Sequence, residues 1–283
     1  GKTTAAELAR RGAHVVLACR NVQRGQALID EWKEEFKAEG RAPPSAECTE
    51  LDLNSLASVR AMCRSWEASS RPLHVLIANA GIFDMGGPRS ETRDGYESHF
   101  GCNYLGHFLL TLLLLPSLTR AGADARVIMV SSKLHTLGHI HWSDLQLTKT
   151  YSAVRAYGQS KLAQIMFGYE LQRRIKSNDY AHLTVLSLHP GNVVTDVVRT
   201  LPGVIQYLYR KLVAMMLLTP SEGARASVHC AAAPISELQP HMDKYFSSDC
   251  RPHQTSSLSY SKEDAARLWK TSAKLVGLPE NII

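Results

Sequence analysis

Tyr157 and Lys161 stand four residues apart in Tyr157-Gly158-Gln159-Ser160-Lys161, ahead of the apolar run Leu162-Ala163-Gln164-Ile165-Met166-Phe167. On a helix that spacing puts a phenol and an ammonium on one face, where both address a single site. A free phenol titrates at about 10 and is a poor base near neutrality. A cation one turn away favours the phenolate and brings it toward the range in which it exchanges a proton. The pair therefore reads as a proton-transfer device. The same spacing occurs in helices that do no chemistry, so the surrounding residues decide between the two readings.

An alternation of helices and strands must position that pair. Residues 1–12 read as a helix with a glycine stop, His14 to Cys19 as a strand, and Val22 to about Lys37 as a second helix. Glu47 to Leu51 forms a short strand, and Asn54 or Ser55 caps a helix carrying Val59, Met62 and Trp66. Leu73 to Ala78 and Arg126 to Val130 are nearly continuous apolar runs, as expected of strands covered on both faces. Between them lies a helix with Asn103 and the apolar tail Phe108 to Leu115. Leu183 to Leu188, a small strand at Lys244-Tyr245-Phe246, and an amphipathic helix from about Lys262 to Leu275 complete the order. Such alternation argues an α/β fold with a parallel sheet and right-handed crossovers. No linker or repeat interrupts it, so residues 1–283 read as a single domain.

Ligands of an open parallel sheet bind beyond the carboxyl ends of its strands. In order, those ends are Arg20, Asp52, Asn79-Ala80-Gly81, Ser131-Ser132 and Pro190-Gly191. Polar or glycine residues at almost every strand end lift Tyr157 and Lys161 above coincidence.

The bulk numbers agree with an ordinary soluble domain. The chain has 283 residues, 45% hydrophobic and 20% charged, enough for one well-buried core. Its net charge of +6 is spread out, and Arg173, Arg174 and Lys176 read as a solvated helix end rather than a nucleic-acid patch. Six scattered cysteines form no C-x-x-C pair, which points to a reducing, intracellular compartment and to neither zinc nor a disulfide scaffold. His135, His139 and His141 have a metal-like spacing, but only Asp144 offers a nearby carboxylate, and no metal is expected. No signal peptide or membrane-spanning run is visible.

Together these motifs resemble the short-chain dehydrogenases/reductases over essentially the whole chain. The resemblance implies a Rossmann-like, doubly wound parallel sheet with helices on both faces. The family's T-G-x-x-x-G-x-G turn would end at Gly1, so the first strand and the earlier glycines lie outside this chain, and a fragmentary sequence is expected. By matching positions, Gly1 and Lys2 fall at the pyrophosphate end of the first helix. Arg20 replaces an acidic ribose ligand, and with Lys2 it implies a 2′-phosphate, hence NADP(H), with NAD(H) as the alternative. Asp52-Leu53 resembles the adenine-contacting pair, although Asp52 also suits a plain helix start. Asn79-Ala80-Gly81 resembles the N-A-G that lets the backbone approach the cofactor. Pro190-Gly191 with Thr195 resembles P-G-x-x-x-T beside the nicotinamide, with a backbone contact from Val193. Ser132, preferred over Ser131, resembles the catalytic serine; Tyr157 would be the acid/base, with Lys161 lowering its pKa and holding the nicotinamide ribose. Asn103 resembles the asparagine that anchors a relay water, against the plainer reading of a helix-interior amide bonded to backbone.

Within the family, Leu17-Ala18-Cys19-Arg20, Asn103-Tyr104-Leu105-Gly106-His107-Phe108 and Ala266-Arg267-Leu268-Trp269 resemble the retinol dehydrogenases and the WW domain-containing oxidoreductase. Val193, Val197, Leu201, Val204, Ile205, Leu208, Leu212, Met215, Met216 and Leu217 form an apolar stretch that would act as a lid for a lipophilic alcohol, aldehyde or ketone, retinoid- or steroid-like, and could touch a membrane surface. Core packing accounts for half of them equally well. An interaction protein with vestigial catalysis remains the alternative on the same fold. A light-dependent pigment reductase is a third reading, unsupported by any insertion or cysteine arrangement.

Overall fold

A computed structural model describes residues 1–176, 180, 182–191, 218–241 and 244–283. The expected contributions of Val193 and Thr195, and the lid read over Val193 to Leu217, lie outside the described residues.

The described chain alternates as the sequence suggests: α1 (Lys2–Arg10), β1 (Val15–Cys19), α2 (Val22–Ala38), β2 (Ala46–Glu50), α3 (Leu56–Ala68) and β3 (Val75–Ala78). A π-helical turn (Phe100–Leu105) then leads into α4 (Gly106–Leu113) and α5 (Leu115–Arg120). Next come β4 (Arg126–Val130), a 3₁₀ turn (Lys133–Leu137), α6 (Ala153–Ile175) and β5 (Thr184–Leu188). The rest comprises α7 (Pro220–Ala232), α8 (Ile235–Leu238), β6 (Tyr245–Phe246), β7 (Pro252–His253), a second 3₁₀ turn (Ser257–Tyr260) and α9 (Lys262–Leu275).

Capping sets where the helices begin. Asn21, Ser55, Ser152 and Ser261 each accept a backbone N–H from the first turn of α2, α3, α6 and α9. Thr219 and Glu222 form a reciprocal capping box at α7. Of the two caps considered for α3, the structure uses Ser55.

β3, β4 and β5 are parallel neighbours, with β6 parallel beyond β5 and β7 antiparallel at the edge. β7 was not legible as a strand; it has two residues, one of them Pro252, and proline is confined to edge strands. β1 and β2 pair in parallel with each other only, so among the described residues the sheet is broken between β1 and β3.

Alternation along β4 and β5 divides the core in two. Val127, Met129 and Val185 face one cluster with Phe108, Leu162, Met166, Phe167 and Trp269 from α4, α6 and α9. Ile128, Val130, Leu186 and Leu188 face the other, with Ala226 and Cys230 of α7. Phe108 and Phe167 approach to 4.8 Å and Phe108 and Trp269 to 5.3 Å, which anchors the C-terminal helix on the central layer. A third cluster joins Ala6 and Ala9 of α1 to Ile29, Trp32 and Phe36 of α2, one stripe at helical spacing. Helices thus cover both faces of a parallel sheet.

Candidate active site

Parallel pairing points the carboxyl ends of β3, β4 and β5 the same way. The register sets Ala78 beside Met129 and Val130 beside Leu188, so Asn79, Ser131 and His189 emerge in a row. Ser131 N–H donates to Leu188 O at 2.8 Å and His189 N–H to Phe246 O at 2.9 Å, extending the ladder past the strands.

The two serines after β4 divide their work. The buried Ser131 hydroxyl donates to Lys161 O at 2.9 Å and is committed to tying β4 to α6. Ser132 is only part-buried: its Oγ accepts Leu134 N–H at 3.2 Å, and its side chain stands near enough to the Tyr157 phenol to oppose the rise that burial imposes on it. Of the two serines, Ser132 is the one whose side chain is left facing Tyr157. His135 fixes that segment: Nδ1–H donates to Ser132 O at 2.7 Å, and Nε2 accepts Ser256 N–H at 3.2 Å. With both ring nitrogens taken by backbone, His135 is no metal ligand, and no metal-holding group of histidine, cysteine and carboxylate occurs among the described residues.

Two glycines let Ser132 reach Tyr157. A Cβ on Gly138 would stand 2.3 Å from Gly158 O, and one on Gly158 would stand 3.1 Å from Leu134 O. The 3₁₀ turn thus lies directly on α6 beside Tyr157. Glycine inside a helix costs roughly 0.5–1 kcal/mol relative to alanine, so Gly158 carried a legible sign of close approach.

Lys161 is 3% exposed; its ammonium donates to Val130 O at 3.0 Å and Gln164 Oε1 at 2.9 Å, and lies 5.6 Å from the Tyr157 ring centroid. Burial pulls its pKa down to about 7. The expectation that Lys161 draws the Tyr157 phenol down is corrected here: burial raises Tyr157, and only the Ser132 side chain opposes the rise. The ammonium is turned toward Val130 and Gln164, and desolvation of the phenolate dominates.

Asn103 is fully buried in the π-helical turn. Its Oδ1 accepts Ile82 N–H at 2.7 Å, while Nδ2 donates to Ile82 O at 3.0 Å and Ser160 Oγ at 3.1 Å. The side chain bonds both the Ile82 backbone and the Ser160 hydroxyl, and so pins the loop after β3 onto α6. That loop lays Phe83 on the Tyr157 ring at 4.3 Å between centroids. Fully buried Glu97 accepts the His99 Nδ1–H at 2.8 Å and two backbone N–H groups, and His99 Nε2 accepts Asp84 N–H at 3.3 Å, holding the loop from its other side. Sequence reasoning missed Phe83, Glu97 and His99, whose contacts span loops with no periodic signal.

Glycines and short polar residues at the remaining strand ends are the groups that could hold a cofactor. Gly1 lies against Asn79: a Cβ there would stand 2.7 Å from Asn79 Nδ2. No side chain caps α1 and no acid occupies its first turn, so its N–H groups suit a pyrophosphate. A Cβ on Gly81 would crowd Asn103 Oδ1 at 3.1 Å and Lys161 Nζ at 3.4 Å, and Gly191 holds φ +81° against Leu218 and Ser248 beside Pro190. A side chain at either glycine would crowd these neighbours. Arg20 is exposed after β1. Lys2, expected to act with it, is paired with Glu31 at 2.9 Å on the surface of α2. Asp52 Oδ1 accepts Asn54 N–H at 3.0 Å, the helix-start role, and Leu53 packs against Gly106.

Residues 1–202 match the family model for short chain dehydrogenase. Retinol dehydrogenase 12 of Mus musculus is 41% identical over 278 residues, covering 98% of this chain and 83% of that protein. Retinol dehydrogenase 11 of Homo sapiens is 41% identical over 279 residues, 99% and 83%. The dehydrogenase/reductase SDR family member FEY of Arabidopsis thaliana is 39% identical over 290 residues, 99% and 76%. A crystal structure of an uncharacterized protein from Mycobacterium paratuberculosis superposes with a TM-score of 0.74 at 32% identity, covering 98% of this chain and 89% of that one. The NADP complex of Pseudomonas aeruginosa RhlG shares the fold, with a TM-score of 0.60 at 23% identity over 82% and 85%. The chain belongs to the short-chain dehydrogenase/reductase family of oxidoreductases, in its retinol dehydrogenase-like branch.

Proposed function

We propose that this chain is an NADP(H)-dependent oxidoreductase interconverting a lipophilic alcohol and its aldehyde or ketone, retinoid- or steroid-like, with Tyr157 as acid/base. The observation that carries this reading is the convergence of Ser132, just past the end of β4, with Tyr157 on α6, where the buried Lys161 ammonium lies 5.6 Å from the Tyr157 ring centroid. A nicotinamide dinucleotide, when bound, supplies or accepts the hydride at the substrate carbon. Gly1, Asn79, Ala80, Gly81, Pro190 and Gly191 would hold it along its length, Asp52 and Leu53 at its adenine end, and Arg20 would meet a 2′-phosphate with its exposed guanidinium.

Burial keeps the Tyr157 phenol protonated at neutrality, the form needed to donate to a carbonyl oxygen as negative charge develops there. Ser132 Oγ–H donates a hydrogen bond to that same oxygen, stabilising the charge before the proton arrives. In the oxidative direction the phenolate takes the alcohol proton, and the Ser132 side chain favours that charge against desolvation. Phe83 on the Tyr157 ring and exposed Met85 in the same loop present apolar surface at the mouth, in keeping with a lipophilic substrate. The reading takes residues 1–283 as a single domain, with Trp269 of α9 packed on Phe108. Among the described residues no helix is long and apolar enough to cross a membrane.

NADPH and NADH oxidation assayed against retinal, a steroid ketone and short aldehydes tests the proposal. Faster turnover with NADPH and the bulky apolar carbonyls is expected. Preference for NADH would overturn the cofactor assignment, and no oxidation with any carbonyl would overturn the enzyme.

A further inference from the structure

We infer that Tyr245 is a positioning residue: its ring, gripped between the His135 and His189 imidazoles, sets the Ser132 segment against the Pro190-Gly191 turn. The inference rests on the reading of Ser132 as holding the substrate oxygen and of Pro190-Gly191 as lying beside the nicotinamide.

Three buried rings stand together here. His135 is 2% exposed, Tyr245 3% and His189 4%. The Tyr245 ring centroid lies 5.0 Å from that of His135, edge to face at 67°, and 5.2 Å from that of His189, tilted at 34°. Both spacings fall where aromatic rings attract one another. Burial pulls both histidines down, His189 to about 4, so at neutrality each imidazole packs as an uncharged ring.

Each outer ring holds a different strand-end segment. His135 Nδ1–H donates to Ser132 O at 2.7 Å, and its Nε2 accepts Ser256 N–H at 3.2 Å. His189 Nδ1 accepts Gly191 N–H at 3.0 Å, which closes the turn that Gly191 takes at φ +81°. Neither imidazole can swing without giving up a backbone partner. The ring between them is fixed in turn. Register sets Tyr245 beside Ser187 on β5, and Ile165 and Tyr169 of α6 pack against it. That helix also carries Tyr157, so the serine, the turn and the phenol take their spacing from one support. The buried Tyr245 hydroxyl makes no hydrogen bond among the described residues, which leaves the positioning to the ring. Core filling would explain a buried tyrosine. It would not place that tyrosine between two imidazoles that each end on the backbone of the site.

The test is amide hydrogen exchange, followed residue by residue by nuclear magnetic resonance on the whole chain without cofactor. Leu134 N–H, bonded to Ser132 Oγ at 3.2 Å, reports the serine segment, and Gly191 N–H reports the turn. Tyr245→Leu should speed exchange at both by about tenfold or more relative to Ile128 in β4, and Tyr245→Phe, which keeps the ring, should restore wild-type rates. Faster exchange at one amide only, a change no larger than that at Ile128, or the same change in the Phe variant overturns the inference. Should Tyr245→Leu fail to fold, His189→Leu decides: it should speed exchange at Leu134, on the far side of Tyr245, and an unchanged Leu134 overturns the inference. With NADPH and a carbonyl, Tyr245→Leu should slow single-turnover hydride transfer by roughly tenfold to a hundredfold at unchanged NADPH Kd, the cost of a misplaced reacting pair. A loss confined to Kd would contradict it. Since exchange needs no turnover, an inactive wild type would count against the proposed reaction alone, and unchanged exchange against the inference alone.

Discussion

Lys161→Met replaces a buried amine with an apolar chain of similar reach, and so isolates what ionisation of that amine contributes to stability. Burial lowers its pKa from 10.5 to about 7. Below about 7 the amine is charged in both folded and unfolded chains and the whole burial penalty is present. Between about 7 and 10.5 the unfolded chain keeps a proton that the folded chain has released, so stability rises with pH through that window. Above it both states are neutral. Each pH unit inside the window is worth about 1.4 kcal/mol. Urea unfolding of both proteins at about pH 7.5 and about pH 9.5 should therefore show wild type gaining roughly 2–3 kcal/mol on the variant, other titrations cancelling in the difference. A difference that stays constant over the range would refute the burial argument.

Two further outcomes follow from the site's geometry. Gly138→Ala puts a methyl group 2.3 Å from Gly158 O, so a loss of about 1–3 kcal/mol is expected, with a lower kcat as the Ser132 segment shifts; an unchanged melting temperature and rate would contradict the packing described. Arg20→Glu should weaken NADPH binding relative to NADH by roughly tenfold to a hundredfold, the loss of one charge-assisted contact of about 1.5–3 kcal/mol, read as the ratio of Kd values; an unchanged ratio would remove Arg20 from the phosphate site.

Much of this was legible in residues. β4 and β5 announced themselves because strands buried on both faces must be apolar almost throughout, and Tyr157, Lys161 and Ser132 could be singled out because helical spacing and strand ends are local facts. The family resemblance preferred Ser132 to Ser131, and the fold adds a physical reason, the Ser131 hydroxyl being spent on Lys161 O. Asn103 was singled out, but its partners, Ile82 and Ser160, sit far along the chain and have no local signature. The π-helical turn was equally hidden: Phe100–Leu105 is buried throughout and gives no periodicity by which to tell one helix type from another. The sign at Tyr157 was misjudged because spacing reports proximity but not desolvation, and here desolvation wins.

Single-turnover transfer from NADPH carrying deuterium at nicotinamide C4 to retinal tests the reaction assignment most directly, comparing the whole chain with Tyr157→Phe. The account predicts deuterium in the alcohol product of wild type and its loss by several orders of magnitude in the variant, with NADPH binding retained. Equal transfer by the two proteins would contradict it.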